Sequence, residues 1–251
     1  MWHTRMNGTA DLWQVLLASF TRTAPPLVTL TELVLALLAA TALSVPRRSW
    51  KYFGLLTTAT HELGHAFAAV TSGQRLSGIH LRLDHSGTTT TYSRSRLATV
   101  WSCFWGYPVP AVAGAVFVVC GFSGWGPAAI AAGGLALAAT LVFLRNLAGV
   151  LITLAAIGAA LALILVVPRE FTGHVAVILG LALLVGAVRD LIKLAHVHVR
   201  RRSQLATSDA YLLYRATHVP SGVWIVLFLA IVAGSWIVAL QPVTAVLSAG
   251  A

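Results

Sequence analysis

Seven stretches of the chain are apolar over about the length a helix needs to cross a bilayer, some 20 residues. They run from Leu27 to Val45, Tyr52 to Thr71, Val100 to Phe122, Pro127 to Leu144, Asn146 to Val167, Gly173 to Val188 and Val223 to Leu240. After the second stretch the pattern changes from a continuous run to alternation. Ile79, Leu81 and Leu83 alternate with polar positions, His85-Ser86-Gly87 reads as a turn, and Thr88 to Thr91 with Tyr92 favour extended backbone. A β-hairpin is predicted there. The expected fold is an all-α polytopic membrane protein of about seven transmembrane helices, with a small β-hairpin in the loop after the second.

The third stretch is interrupted by Gly106-Tyr107-Pro108-Val109-Pro110. Proline removes an amide donor and pushes the preceding residue out of helical geometry, and broken backbone at membrane depth must be buried in protein or line a wet cavity. This segment is a candidate wall for a site. Near the N-terminus, Leu12, Trp13, Leu16, Leu17 and Phe20 recur at helical spacing between Asp11 and Arg22, so residues 1–26 are expected to form an amphipathic surface segment rather than a cleaved signal peptide. Residues 27–251 are expected to form one membrane domain, which leaves no room for a separate peptide-binding module.

Composition supports this setting. Hydrophobic residues make up 58% of the chain and charged residues 10%, against about a quarter charged in soluble domains. Cys103 and Cys120 lack any Cys-x-x-Cys spacing and are expected to be packing residues. Alternating seven spans with the N-terminus inside places 13 of the 17 basic residues in the cytoplasm and leaves Arg47, Arg48, Lys51 and Arg169 outside. That predicts a multi-pass cell-membrane protein with a cytoplasmic N-terminus and an external C-terminus. The net charge of +10 then faces anionic lipid, with Arg200-Arg201-Arg202 as a membrane-anchoring run, and nucleic acid is not needed to account for it.

The chemistry lies in the second stretch. His61-Glu62-Leu63-Gly64-His65 puts two imidazoles one helical turn apart on one face, where they can hold one zinc ion, with Glu62 placed to act as base on a metal-bound water. Ionisable groups at bilayer depth are costly unless they pair, bind an ion or face water. Gly64 permits close approach of a neighbouring helix or of substrate backbone. Catalytic zinc takes three protein ligands and an open position, so a third ligand is required. The remaining acids are Asp11, Glu32, Asp84, Glu170, Asp190 and Asp209. Glu170 falls on the far side of the membrane, Asp11 precedes the membrane domain, Glu32 lies near the cytoplasmic start of the first span, and Asp84 sits in the hairpin. Asp190 and Asp209 are the strong candidates; Asp190 could equally be salt-bridged to Arg189, and Ser208-Asp209 could simply cap a helix. His80, His85, His196, His198 and His218 are substitutes, the third and fourth of them within a basic segment. Asn146 is nearly alone as a polar group in its span, and could brace the site or bond substrate.

These residues resemble the site-2 protease family of intramembrane zinc metallopeptidases, in particular its compact bacterial branch without a peptide-binding domain. The resemblance covers His61-Glu62-Leu63-Gly64-His65, Gly78-Ile79, Ser86-Gly87-Thr88, Gly106-Tyr107-Pro108, Arg145-Asn146-Leu147, Ser208-Asp209-Ala210, Thr217-His218-Val219-Pro220 and Trp224. The Leu-Asp-Gly element that supplies the family's aspartate ligand is missing from this chain. Ser208-Asp209-Ala210 is similar to the compact branch's acidic element, which implies Asp209, with Asp190 as the alternative. The resemblance implies a zinc-dependent endopeptidase that cleaves a membrane-protein substrate in or near its transmembrane segment, with Glu62 as general base. It also makes Gly64, Gly106, Tyr107, Pro108 and Asn146 candidate wall or substrate contacts, and the hairpin a possible edge for an extended substrate. The competing classes are a zinc-binding scaffold that has lost activity and a metal transporter. A transporter would be expected to carry internal repeats, and no convincing repeat is present.

Overall fold

The computed structural model describes residues 9–200 and 202–249. Residues 1–8 of the expected surface segment, the Asp11 side chain and Arg201 lie outside what is described. The elements are α1 (Thr9–Ser19), α2 (Leu30–Ser44), α3 (Arg47–Thr71), β1 (Arg75–Leu81), β2 (Gly87–Tyr92), α4 (Arg96–Phe104), α5 (Pro108–Phe122), α6 (Gly126–Thr140), α7 (Leu147–Val166), α8 (Thr172–Arg200), α9 (Asp209–Thr217) and α10 (Ser221–Ala249).

α8 is the axis of the bundle, and its most apolar window is 56% buried, whereas that of α7 is only 11% buried and presents leucines to the surroundings. α5 lies against α8 in the opposite direction. A Cβ at Gly114 would fall 2.7 Å from the Gly180 carbonyl oxygen, and one at Gly121 would fall 2.6 Å from that of Gly173. Small residues at these crossings let the two backbones touch, which is how helices gain packing energy where lipid removes the hydrophobic drive.

The seven apolar stretches are all helical, but the number of crossings is four to six. α6, α7, α8 and α10 are long and apolar enough to cross singly, while α2 with α3 and α4 with α5 qualify as pairs bent by 87° and 52°. The second bend falls at Gly106-Tyr107-Pro108, where the prolines were expected to break the helix. The first falls at Val45-Pro46 and was not expected.

That bend corrects the direction of the first span. At one end of α2, Glu32 Oε2 lies 3.8 Å from His174 Nε2 near the start of α8; at the other, Arg189 donates to the carbonyls of Ser44 and Val45 at 2.9 Å. α2 therefore runs parallel to α8, and Glu32 sits at the end of the bundle away from the histidine motif, contrary to the expectation from a strict alternation of spans. Both ends of α3 stay at the motif end. Trp50 lies under the Arg189 guanidinium, 4.2 Å from its ring centre, and Gln74, just past α3, donates to the Ala98 carbonyl at the start of α4. Consequently Arg47, Arg48 and Lys51, expected on the opposite face, begin α3 beside the other basic loops.

β1 and β2 pair antiparallel, with Leu81 opposite Gly87 and His80 opposite Thr88. The turn spans residues 82–86, and His85 takes the left-handed conformation with φ 61°. Asn146 fastens the hairpin to the bundle. Its Nδ2 donates to the Leu81 carbonyl at 2.7 Å and its Oδ1 accepts from the Leu81 amide at 3.2 Å. This is the bracing role, at the point where β1 would otherwise expose an unpaired edge.

Candidate metal centre

α3, α4, α5 and α9 each supply one part of the centre. α3 presents His61 and His65 from successive turns, and α9 brings in Asp209. The Ser208 hydroxyl accepts from the Tyr211 amide, which caps α9 and fixes the direction in which Asp209 leaves the helix. The cap and the acidic ligand are thus adjacent residues with separate tasks, and one does not exclude the other.

Asp209 Oδ2 lies 3.2 Å from His61 Nε2 and 3.2 Å from His65 Nε2, and the two imidazole nitrogens are 3.1 Å apart. His65 Nδ1 donates to the Ser102 carbonyl at 2.8 Å, so its Nε2 turns a lone pair into this triangle. Among the described residues this is the only cluster of three such donors placed to hold one ion. Four ligands arranged tetrahedrally at about 2.0 Å from zinc stand about 3.3 Å apart, so the triangle fits one metal ion with a fourth position open.

Gly64 and Gly106 make this arrangement possible. A Cβ at Gly64 would fall 2.5 Å from the Trp105 carbonyl oxygen, so α3 rests directly on the elbow between α4 and α5. A Cβ at Gly106 would run into both imidazole rings, so the Gly106-Tyr107-Pro108 break forms the floor of the centre. Tyr107 stands edge-on to His61, ring centres 4.7 Å apart.

Glu62 is 4% exposed and borders the same cavity, of about 1100 Å³, as the triangle. Its Oε2 accepts a 2.6 Å hydrogen bond from Thr89 Oγ1, and Gly87 lies so close that a Cβ there would meet the carboxylate. The hairpin therefore holds the carboxylate in place. Thr89 and the Ser102 carbonyl were missed from sequence. The threonine run signalled only a strand, and a backbone carbonyl carries no residue signature.

Asp190 also lines the cavity but belongs to no metal cluster, and among the described residues it forms no ion pair with Arg189, which is engaged at the end of α2. His85 packs on Trp50, His196 turns back on the Ile192 carbonyl, His198 bonds the Ser208 hydroxyl, and His218 meets Arg96. His80 pairs with Thr88 in the hairpin. None of these joins the triangle. Glu170 follows α7 at the far end of the bundle, as expected.

A family model described as Peptidase M50B-like matches residues 34–239 of the chain. No curated protein and no solved structure matches.

Proposed function

This chain belongs to the Peptidase M50B-like family, and from that premise we propose that it is a zinc-dependent intramembrane endopeptidase acting on membrane proteins in or near a transmembrane segment. One observation carries the reading. Two histidines and an aspartate converge as a metal-sized triangle in a cavity that also holds a glutamate supported by a hydrogen bond.

His61, His65 and Asp209 would hold the ion. A zinc ion held there would supply Lewis-acid chemistry, polarising a peptide carbonyl and lowering the pKa of a bound water. Glu62 takes a proton from the attacking water and passes it to the departing amine nitrogen, so one water is consumed and a carboxyl and an amino terminus are produced. The Thr89 hydroxyl aims the Glu62 carboxylate, and the Ser102 carbonyl keeps His65 in the tautomer that ligates through Nε2. A carboxylate held by the hairpin beside the triangle favours a protease over a scaffold or a transporter, neither of which needs a base there. In a reconstituted assay on single-span membrane substrates, product should appear with wild type, vanish on treatment with a zinc chelator and return when zinc is restored. Product that persists in the chelated, metal-free protein would overturn this reading.

Thr89 provides a finer test. Thr89→Val keeps the side-chain shape and removes a hydrogen bond to a charged group, worth about 1.5 to 3 kcal/mol. We expect kcat to fall about tenfold or more with KM little changed, and Thr89→Ser to restore it. Equal kcat for the valine variant and wild type would remove Thr89 from the mechanism.

We also propose that the motif end faces the cytoplasm. Among the described residues, only Arg22 and Arg169 of the basic side chains stand at the far end, Arg22 bonded to the Ser123 carbonyl and Arg169 to that of Ala18. This is a sharper bias than seven alternating spans would give. With six crossings both ends of the described chain lie outside. Cysteines placed at Thr23 and Ser248 should both label from outside intact cells while one at Ser93 is protected; external labelling at Ser93 would reverse the orientation.

A further inference from the structure

Several arginines of the bundle are tied to carbonyl groups. Arg96 bonds to Ala216, Arg145 to Ser77 and Val142, and Arg189 to Ser44 and Val45. Three cations at the cavity of the candidate centre are held weakly or not at all among the described residues. Arg82 from the hairpin turn, Lys193 from α8 and Arg215 from α9 line it and are exposed. Among the described residues the side chains of Arg82 and Arg215 donate to no protein acceptor, and Lys193 makes one 3.4 Å contact with the His85 carbonyl.

The acids of the cavity do not bridge to them: Asp84 and Asp190 act on Arg82 and Lys193 through their charge, but neither forms a salt bridge among the described residues. Asp84 accepts from the Ser86 hydroxyl at 2.6 Å and from its amide at 3.0 Å, bonds that hold its carboxyl below the usual range. Glu62 is engaged by Thr89 and Asp209 by the two imidazoles. Among the described residues no lysine or arginine forms a salt bridge, and every ion pair involves histidine. Three elements thus converge on one opening with exposed cations that no salt bridge holds among the described residues.

We infer that this rim receives a peptide flank rich in Asp or Glu, and so selects substrates whose transmembrane segment is followed on the motif side by acidic residues. The inference rests on the reading of the cavity as a peptide-cleaving site. Its geometry then sets the spacing. Gly87 abuts the Glu62 carboxylate, Leu81 pairs with Gly87, and Arg82 follows Leu81. At about 3.4 Å per extended residue, a chain with its scissile bond at Glu62 meets the rim within roughly four residues. Most membrane proteins carry Lys and Arg on their cytoplasmic flanks, and such flanks are repelled here. The rim therefore works by rejecting the majority as well as by attracting the few.

Binding is measured with the full chain carrying Glu62→Gln, loaded with zinc, in zwitterionic nanodiscs. The probes are single-span peptides that share one Leu/Ala segment and differ only in a motif-side flank of four Glu, four Gln or four Lys. The Glu flank should bind about tenfold or more tightly than the Lys flank, as expected of two or three exposed ion pairs, and the gap should narrow as salt is raised. The triple change Arg82→Gln, Lys193→Gln, Arg215→Gln should abolish the preference at unchanged zinc content, and the triple Glu version should invert it. Equal binding of Glu and Lys flanks, or a preference that survives the Gln triple, overturns the inference. So does a preference lost when the nanodiscs contain phosphatidylglycerol, since lipid would then be the occupant. Cleavage by wild type is followed in parallel. Flank-selective binding without zinc-dependent cleavage would sink the protease reading and leave the rim intact, while cleavage blind to the flank would do the reverse.

Discussion

Asp209→Ala should strip most of the zinc from the purified protein, whereas Asp190→Ala should leave its zinc content near that of wild type. Both carboxylates line one cavity, but only Asp209 has an oxygen 3.2 Å from both imidazole nitrogens. Removing an outer partner of a metal ligand already costs about 10- to 100-fold in affinity, and loss of one of three direct ligands should exceed that. Asp190 stands outside the ligand triangle, so its loss changes the field at the centre but not the number of ligands. Metal analysis after dialysis against a graded zinc buffer separates the two. If Asp190→Ala emptied the site while Asp209→Ala retained the ion, the ligand assignment would transfer to Asp190. Full retention by both would leave a two-histidine site.

The pair of histidines could be read directly from the chain because i, i+4 spacing needs only a helix to bring the side chains together. The third ligand could not, because Asp209 arrives from 144 positions after His65, on a helix of its own. Elimination reduced six acids to two, and the choice between them came from the likeness of Ser208-Asp209-Ala210 to a known element. One step of that elimination rested on a wrong direction for α2. Glu32 was set aside as lying near the cytoplasmic start of its span, and it is in fact at the far end beside His174; it is excluded all the same. Apolar stretches located the long helices, yet they do not reveal that α3 turns 87° from α2, since both arms are apolar and the break is a short Val45-Pro46 junction. The proline pair of α5 did signal its bend, and the alternation around Ile79 signalled the hairpin. What the hairpin does to Glu62 depends on where the hairpin docks, and it is tied to the bundle by Asn146 across 65 residues of sequence.

Glu62→Gln should lose hydrolysis while keeping the metal. General acid–base catalysis is worth about 10²- to 10⁴-fold, and an amide cannot accept the proton that Glu62 is proposed to take from water. The amide has nearly the shape of the acid, and its oxygen can still accept from Thr89 Oγ1, which sits 2.6 Å from the carboxylate in the wild type. The hairpin should therefore stay seated and the zinc content should match wild type, because Glu62 is not one of the three converging ligands. Initial rates on a single-span substrate, normalised to bound zinc, are the measurement that decides. A rate loss below about tenfold at full zinc occupancy would mean that another group moves the proton, and Asp190, the free carboxylate of the same cavity, would be next to test. A wild type that is folded and zinc-loaded yet cleaves no membrane substrate, even with its native membrane partners present, would make the chain a scaffold that kept the metal and lost the reaction.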